Sequence, residues 1–134
     1  MSKTSNIFQK TVLITGILNF PIGLGMMVPA VMNPNPETFI TSVVVGAFII
    51  FAGAALVWSS RDLQTRASIV VWNGIVRAIG VLAVSYTTTI GHVPTEQIVV
   101  TGLDLMLAFI YTIGSVKVTG ISFGKLLLGK SELK

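Results

Sequence analysis

The chain has 134 residues, of which 52% are hydrophobic and 10% charged, with a net charge of +4 and a mean hydropathy of +0.85. A soluble domain carries about a quarter charged residues, so too little polar surface is left to cover a water-soluble particle, and lipid has to cover it. The lack of Cys excludes disulfides, thiol redox chemistry and thiolate-bound metals, one His cannot build a zinc or haem site alone, and no basic-aromatic pattern points to nucleic acid.

Four apolar stretches follow in chain order, roughly residues 11–31, 38–58, 69–88 and 97–116. Each is about 20 residues, the length a helix needs to cross ~30 Å of hydrocarbon. Open strands are excluded, because unpaired backbone groups cannot face lipid. The first stretch, with Lys3 and Lys10 ahead of it and Val28-Pro29-Ala30 near its end, has the outline of a secretory signal; it is read as a retained span. Within it, Pro21 removes a backbone donor and clashes with the carbonyl of Ile17, which predicts a kink. Gly16, Gly23 and Gly25 loosen the helix further, so Asn19 to Gly23 is a candidate cavity wall. Asn33-Pro34-Asn35-Pro36 then forms a rigid turn that cannot be helical throughout.

The second stretch holds Gly46, Ala47, Ala52, Gly53, Ala54 and Ala55 and no ionisable group. Small residues allow close helix approach, so this span is expected to be a packing element within the fold or between protomers. Arg61 to Arg66 is the next connection. After the third stretch, Thr89 to Glu96 forms a loop containing Gly91, His92 and Pro94, and Pro94-Thr95-Glu96 has the pattern of a helix start. His92 is expected to be a solvated loop residue. Residues 117–134 mix Ile121, Phe123 and Leu126 to Leu128 with Lys125 and Lys130, too short and interrupted to span; an interfacial tail is expected, its lysines touching anionic lipid.

Loop charge predicts orientation. Lys3, Lys10, Arg61, Arg66, Lys117, Lys125, Lys130 and Lys134 fall on one side of a four-pass topology, and Glu37, His92 and Glu96 on the other. The expected architecture is therefore an all-α, up-down bundle of four transmembrane helices forming a single domain over residues 1–134, with both termini cytoplasmic in a bacterial inner membrane. Trp58 and Trp72 are expected near the inner interface and Tyr86 near the outer one, as anchors.

Two charges lie inside the apolar stretches, Arg77 and Asp104. At ~1.5 Å rise per residue they sit ~12 Å and ~18 Å above the inner ends of their spans, an offset an Arg side chain can reach across. A charge at this depth normally faces protein and has a partner, so an Arg77–Asp104 pair is expected. Asn73 shares a helix face with Arg77. Thr101, Asp104, Ala108, Tyr111, Thr112 and Ser115 form one stripe at three- and four-residue spacing, and Asn19 lies at about the depth of Arg77. Asn19, Asn73, Arg77, Asp104 and Tyr111 are thus the candidate binding site or buried polar core. The plain alternative is that the pair only fixes helix packing.

The inner connection Arg61 to Arg66, the run Trp72-Asn73-Gly74-Ile75-Val76-Arg77 and the run Thr101-Gly102-Leu103-Asp104-Leu105 resemble the DoxX-like family of small four-helix bacterial membrane proteins. The resemblance covers most of the chain and implies an accessory or apolar-ligand role. The expected function is accordingly non-catalytic: an accessory subunit, or a binder of a small apolar, quinone- or lipid-like molecule. No cofactor and no metal are expected; the expected partners are the bilayer, such a ligand, and other membrane subunits or further copies of the chain. Two alternatives remain. One is a membrane enzyme of isomerase type using Asp104 as acid or base, which lacks an evident second proton-handling group. The other is a small proton-coupled transporter, in which the neighbouring Arg77 would oppose free titration of Asp104.

Overall fold

The computed structural model describes residues 3–130. Lys134 and the side chain of Lys3, two of the expected inner-side cations, lie outside the described residues. The described residues form α1 (Lys3–Met32), α2 (Phe39–Ser60), α3 (Leu63–Ile90), α4 (Thr95–Thr119) and the short α5 (Phe123–Leu127), with no strand among them. The first four helices are long and apolar enough to cross a membrane, as in an integral membrane protein. Large apolar side chains such as Ile40, Phe48, Phe51, Leu82 and Phe109 are left exposed on their flanks, which is the surface lipid would cover.

The helices run beyond the apolar stretches because polar end turns remain helical outside the hydrocarbon. The connection between α2 and α3 shrinks to Arg61 and Asp62. Asp62 caps α3: its carboxylate accepts from the Thr65 N–H at 3.4 Å and from the Thr65 hydroxyl, supplying an acceptor for a first-turn donor. The Asn-Pro-Asn-Pro segment is a turn in which the Asn35 side-chain oxygen accepts from the Glu37 N–H at 3.0 Å and its carbonyl from Phe39 at 2.8 Å. Helix α4 starts at Thr95, directly after Pro94. Hydroxyls along the helices bond back to carbonyls one turn earlier, as Thr15 does to Thr11, Ser59 to Ala55 and Thr101 to Gln97. That is how a hydroxyl is satisfied where no water reaches it.

The chain divides into two compact units after Arg61. In the first, α1 and α2 form an antiparallel hairpin. Helix α1 is helical throughout, with Pro21 and Pro29 inside it. The positions it buries, Phe8, Val12, Gly16, Asn19 and Gly23, recur at spacings of three and four residues, whereas Pro21 is exposed. Gly16 lies against Gly53 and Gly23 against Gly46; a Cβ on Gly23 would come within 2.5 Å of the Gly46 carbonyl oxygen, and one on Gly53 within 2.6 Å of the Gly16 oxygen. The glycines therefore create close approach between two backbones. Gly16 and Gly23 are seam residues rather than loosened points, and the small residues of the second span that contact within this unit, Gly46 and Gly53, pack on α1.

In the second unit α3 and α4 pair antiparallel, and Gln64 Nε2 donates to the Val118 carbonyl at 3.1 Å, joining the start of α3 to the end of α4. Helix α4 ends at Gly120, whose φ of 71° is the left-handed conformation that favours glycine at a helix end. The chain then turns back on α3. Leu126 is buried with Ala67 and Val71, bordered by Ile75, Val116 and Ile121. The Trp72 indole N–H donates to the Leu127 carbonyl at 3.1 Å. Up to Lys130, the segment expected to lie on the membrane surface thus includes a helix docked on α3, and Trp72 holds it.

Candidate functional site

The second unit brings four of the five candidate residues together. On α3, Gly74 faces α4, where a Cβ would stand 3.3 Å from the Ala108 carbonyl and the Tyr111 Cβ. About one turn further along α3 the guanidinium of Arg77 meets the carboxylate of Asp104 in an ion pair. Arg77 Nε donates to the Asn73 side-chain oxygen at 3.4 Å, and the guanidinium carbon lies 5.8 Å from the centre of the Tyr111 ring. Tyr111 is fully buried. Asn73 and Arg77 are placed together by the four-residue spacing of α3, and Asp104 and Tyr111 by the seven-residue spacing of α4. The Tyr ring supplies an electron-rich face for the cation, and Asp104 neutralises it. The buried face of α4 continues toward its C-terminus through Ser115, whose hydroxyl is buried without a hydrogen-bond partner among the described residues.

The pair is not sealed. The side chains of Arg77 and Asp104 are 17% and 30% exposed. Asp104 forms one end of an open groove of about 300 Å³ between the C-terminal half of α3 and the N-terminal half of α4. Gly80 and Val84 line it from α3, and Glu96, Gln97, Val100 and Thr101 from α4. Gly80 leaves room because no atom lies within 4 Å of where a Cβ would be. The Thr101 hydroxyl donates to the Gln97 carbonyl at 2.6 Å, so what it offers the groove is a lone pair. The polar lining is therefore rich in acceptors: two carboxylates and a hydroxyl oxygen, with the Gln97 amide as its donor. Arg77 and Asn73 stand behind Asp104 and are not part of the lining.

Asn19 belongs to the first unit. It is buried in the α1–α2 seam, its Cβ 2.8 Å from where a Cβ on Gly53 would be. With Asn19 and Gly23 turned to α2 and Pro21 and Ile22 exposed, the Asn19–Gly23 segment is a packed seam within this hairpin and not a cavity wall there. The proline leaves the seam intact because its ring lies on the far side of the helix. His92 is exposed in the link between α3 and α4. Gly80, Val84, Glu96, Gln97 and Val100 were not singled out by the sequence reasoning. Position 97 extends the stripe of Thr101 and Asp104 by one turn toward the start of α4, but what it and the others border is set by the residues of α3 that lie opposite.

No family model, curated protein or solved structure matches the chain.

Proposed function

We propose that this is a small non-catalytic membrane protein whose α3–α4 unit binds one small apolar molecule by a polar head. The observation that carries the reading is the groove that ends on Asp104 within two membrane-length helices. Val84 and Val100 suit an apolar body, and Asp104 with Thr101 suits a head that donates hydrogen bonds, such as the hydroxyl of a quinol- or lipid-like molecule. At about 300 Å³ the groove is at the small end of ligand pockets, so it accommodates a head and leaves a long tail in lipid. Arg77 pairs with Asp104 and holds its carboxylate in position to accept. That resident ion pair also favours binding over proton-coupled transport or acid–base catalysis.

The resemblance to the DoxX-like family supports the same role. Orientation follows from the basic residues: Lys10 and Arg61 share one end of the hairpin, and Arg66, Lys117 and Lys125 share one end of the second unit. The positive-inside rule assigns both ends, and so both termini, to the cytoplasmic face of a bacterial inner membrane.

Native mass spectrometry of protein extracted gently from its source membrane tests the reading. A stoichiometric small molecule, retained by the wild type and lost by Asp104→Leu/Arg77→Met, is the expected result. Bare protein sinks the ligand reading, and additional polypeptide chains in its place make the protein an accessory subunit.

A further inference from the structure

The first unit carries a second site, remote in sequence from Asp104 and independent of the reading above. At the end of the hairpin where α1 starts and α2 stops there is a pocket of about 470 Å³. Lys10 and Arg61 line it from opposite helices, with Asn6, Gln9 and Ser60 between them and Leu13 and Val57 on its inner side. The lining holds two cations and no carboxylate. We propose that this pocket binds a phosphate group, carried by an anionic phospholipid or by a soluble phosphate.

The pocket is assembled by a specific contact. Gln9 Nε2 donates to the Ser60 carbonyl at 2.8 Å, tying the second turn of α1 to the last turn of α2. The same bond occupies one of the carbonyls that the end of α2 leaves unpaired. A second, that of Trp58, accepts from the Arg61 N–H at 3.3 Å. The Ser60 hydroxyl donates to the Val57 carbonyl at 2.8 Å, so the donors left for a ligand are the Lys10 ammonium, the Arg61 guanidinium and the Asn6 amide. A point cation and a planar fork on opposing walls match the several acceptor oxygens of a phosphate. The charge balance favours an anion: a helix C-terminus contributes about half a negative charge, and two full positive charges exceed it.

Position narrows the carrier to the headgroup layer. Lys10 immediately precedes the apolar part of α1 and Arg61 immediately follows α2, so the cations stand where phospholipid phosphates lie. Leu13 and Val57, one turn deeper, present apolar surface to an acyl chain. Basic pockets between membrane helices recognise anionic headgroups in this manner.

The test uses the full chain in detergent, titrated in native mass spectrometry with phosphatidylglycerol, phosphatidylcholine and inorganic phosphate. Three proteins are compared: wild type, Lys10→Gln/Arg61→Gln, and a charge-matched control away from the pocket, Arg66→Gln/Lys117→Gln. Each cation near the surface is worth about a five-fold change in affinity, so the Lys10/Arg61 variant is expected to bind phosphatidylglycerol ~30-fold more weakly. The control is expected to keep wild-type binding, and Lys10→Arg to retain most of it. Preference for phosphatidylglycerol with no competition from inorganic phosphate identifies a lipid site. Saturable phosphate binding that is lost with Lys10 and Arg61 identifies a soluble carrier. The proposal fails if wild type neither prefers phosphatidylglycerol over phosphatidylcholine nor binds phosphate, or if the control loses as much as the site variant. Both altered side chains are exposed, and circular dichroism checks that the helices persist.

Discussion

Adding a single methyl group to different glycines should produce a graded loss of stability that follows the space each one has. Gly25 has no atom within 4 Å of an added Cβ, Gly74 has its nearest at 3.3 Å, and Gly23 meets the Gly46 carbonyl at 2.5 Å and Ile50 Cγ1 at 2.6 Å. All three sit inside helices, so each alanine gains the same helix propensity, about 1 kcal/mol. Differences between them therefore report packing. Gly25→Ala should be neutral or stabilising. Gly74→Ala asks its neighbours to yield by a few tenths of an ångström, and the propensity gain should roughly offset that. Gly23→Ala requires α1 and α2 to separate by about 1 Å at the seam, an overpacking strain of about 1–3 kcal/mol that also loosens the neighbouring Gly16–Gly53 contact. The assay is unfolding by dodecyl sulfate titration in mixed micelles, followed by circular dichroism. Equal stability of Gly23→Ala and Gly25→Ala would refute the close-packed seam.

Two further predictions address the charged groups. Asp104→Leu takes the carboxylate from the Arg77 guanidinium and should cost about 2–3 kcal/mol in the same assay, whereas Arg77→Met/Asp104→Leu, which removes both charges, should fall within about 1 kcal/mol of wild type; a double variant as unstable as the sum of Arg77→Met and Asp104→Leu would sink the claim that the two charges are coupled. The Asp62 carboxyl is held below its ordinary value, chiefly by the Thr65 hydroxyl, then by the Thr65 N–H and the charge of Arg66, which together outweigh its desolvation. A depressed folded value means the cap is fully stabilising above the ordinary range near pH 4 and is lost only as pH falls through the lower, folded value. The Thr65 amide shift should therefore titrate with a midpoint below that of an unstructured Asp, and a midpoint at or above it would contradict the cap.

What could be read from the sequence divides along one physical line. Properties fixed by one-dimensional spacing were legible: four membrane-length helices, the start of α4 at Pro94-Thr95, and the heights that let Arg77 reach Asp104. Bilayer thickness and helix rise are constants, so counting residues is enough. Properties set by which helix faces which were not. Pro21 and Gly23 are two positions apart and together suggested a broken, cavity-lining helix, yet two positions is about half a turn. They consequently point in opposite directions, the proline outward and the glycine into the seam. The same limit hid Glu96, Gln97 and Val100, whose meaning depends on Gly80 and Val84 lying opposite on α3.

That limit bears directly on the chemistry of the candidate site. Depth alone does not say which of Arg77 and Asp104 would meet a ligand. The geometry separates them: Arg77 turns toward Asn73 and the Tyr111 ring, and Asp104 is the member that reaches the groove. A half-buried pair whose cation lies against Asn73 and the Tyr111 ring and whose anion borders open space presents an acceptor to that space. On the proposed function, the ligand is then a hydrogen-bond donor on an apolar body, and a carbonyl-bearing analogue of the same shape should bind more weakly than its hydroxyl form.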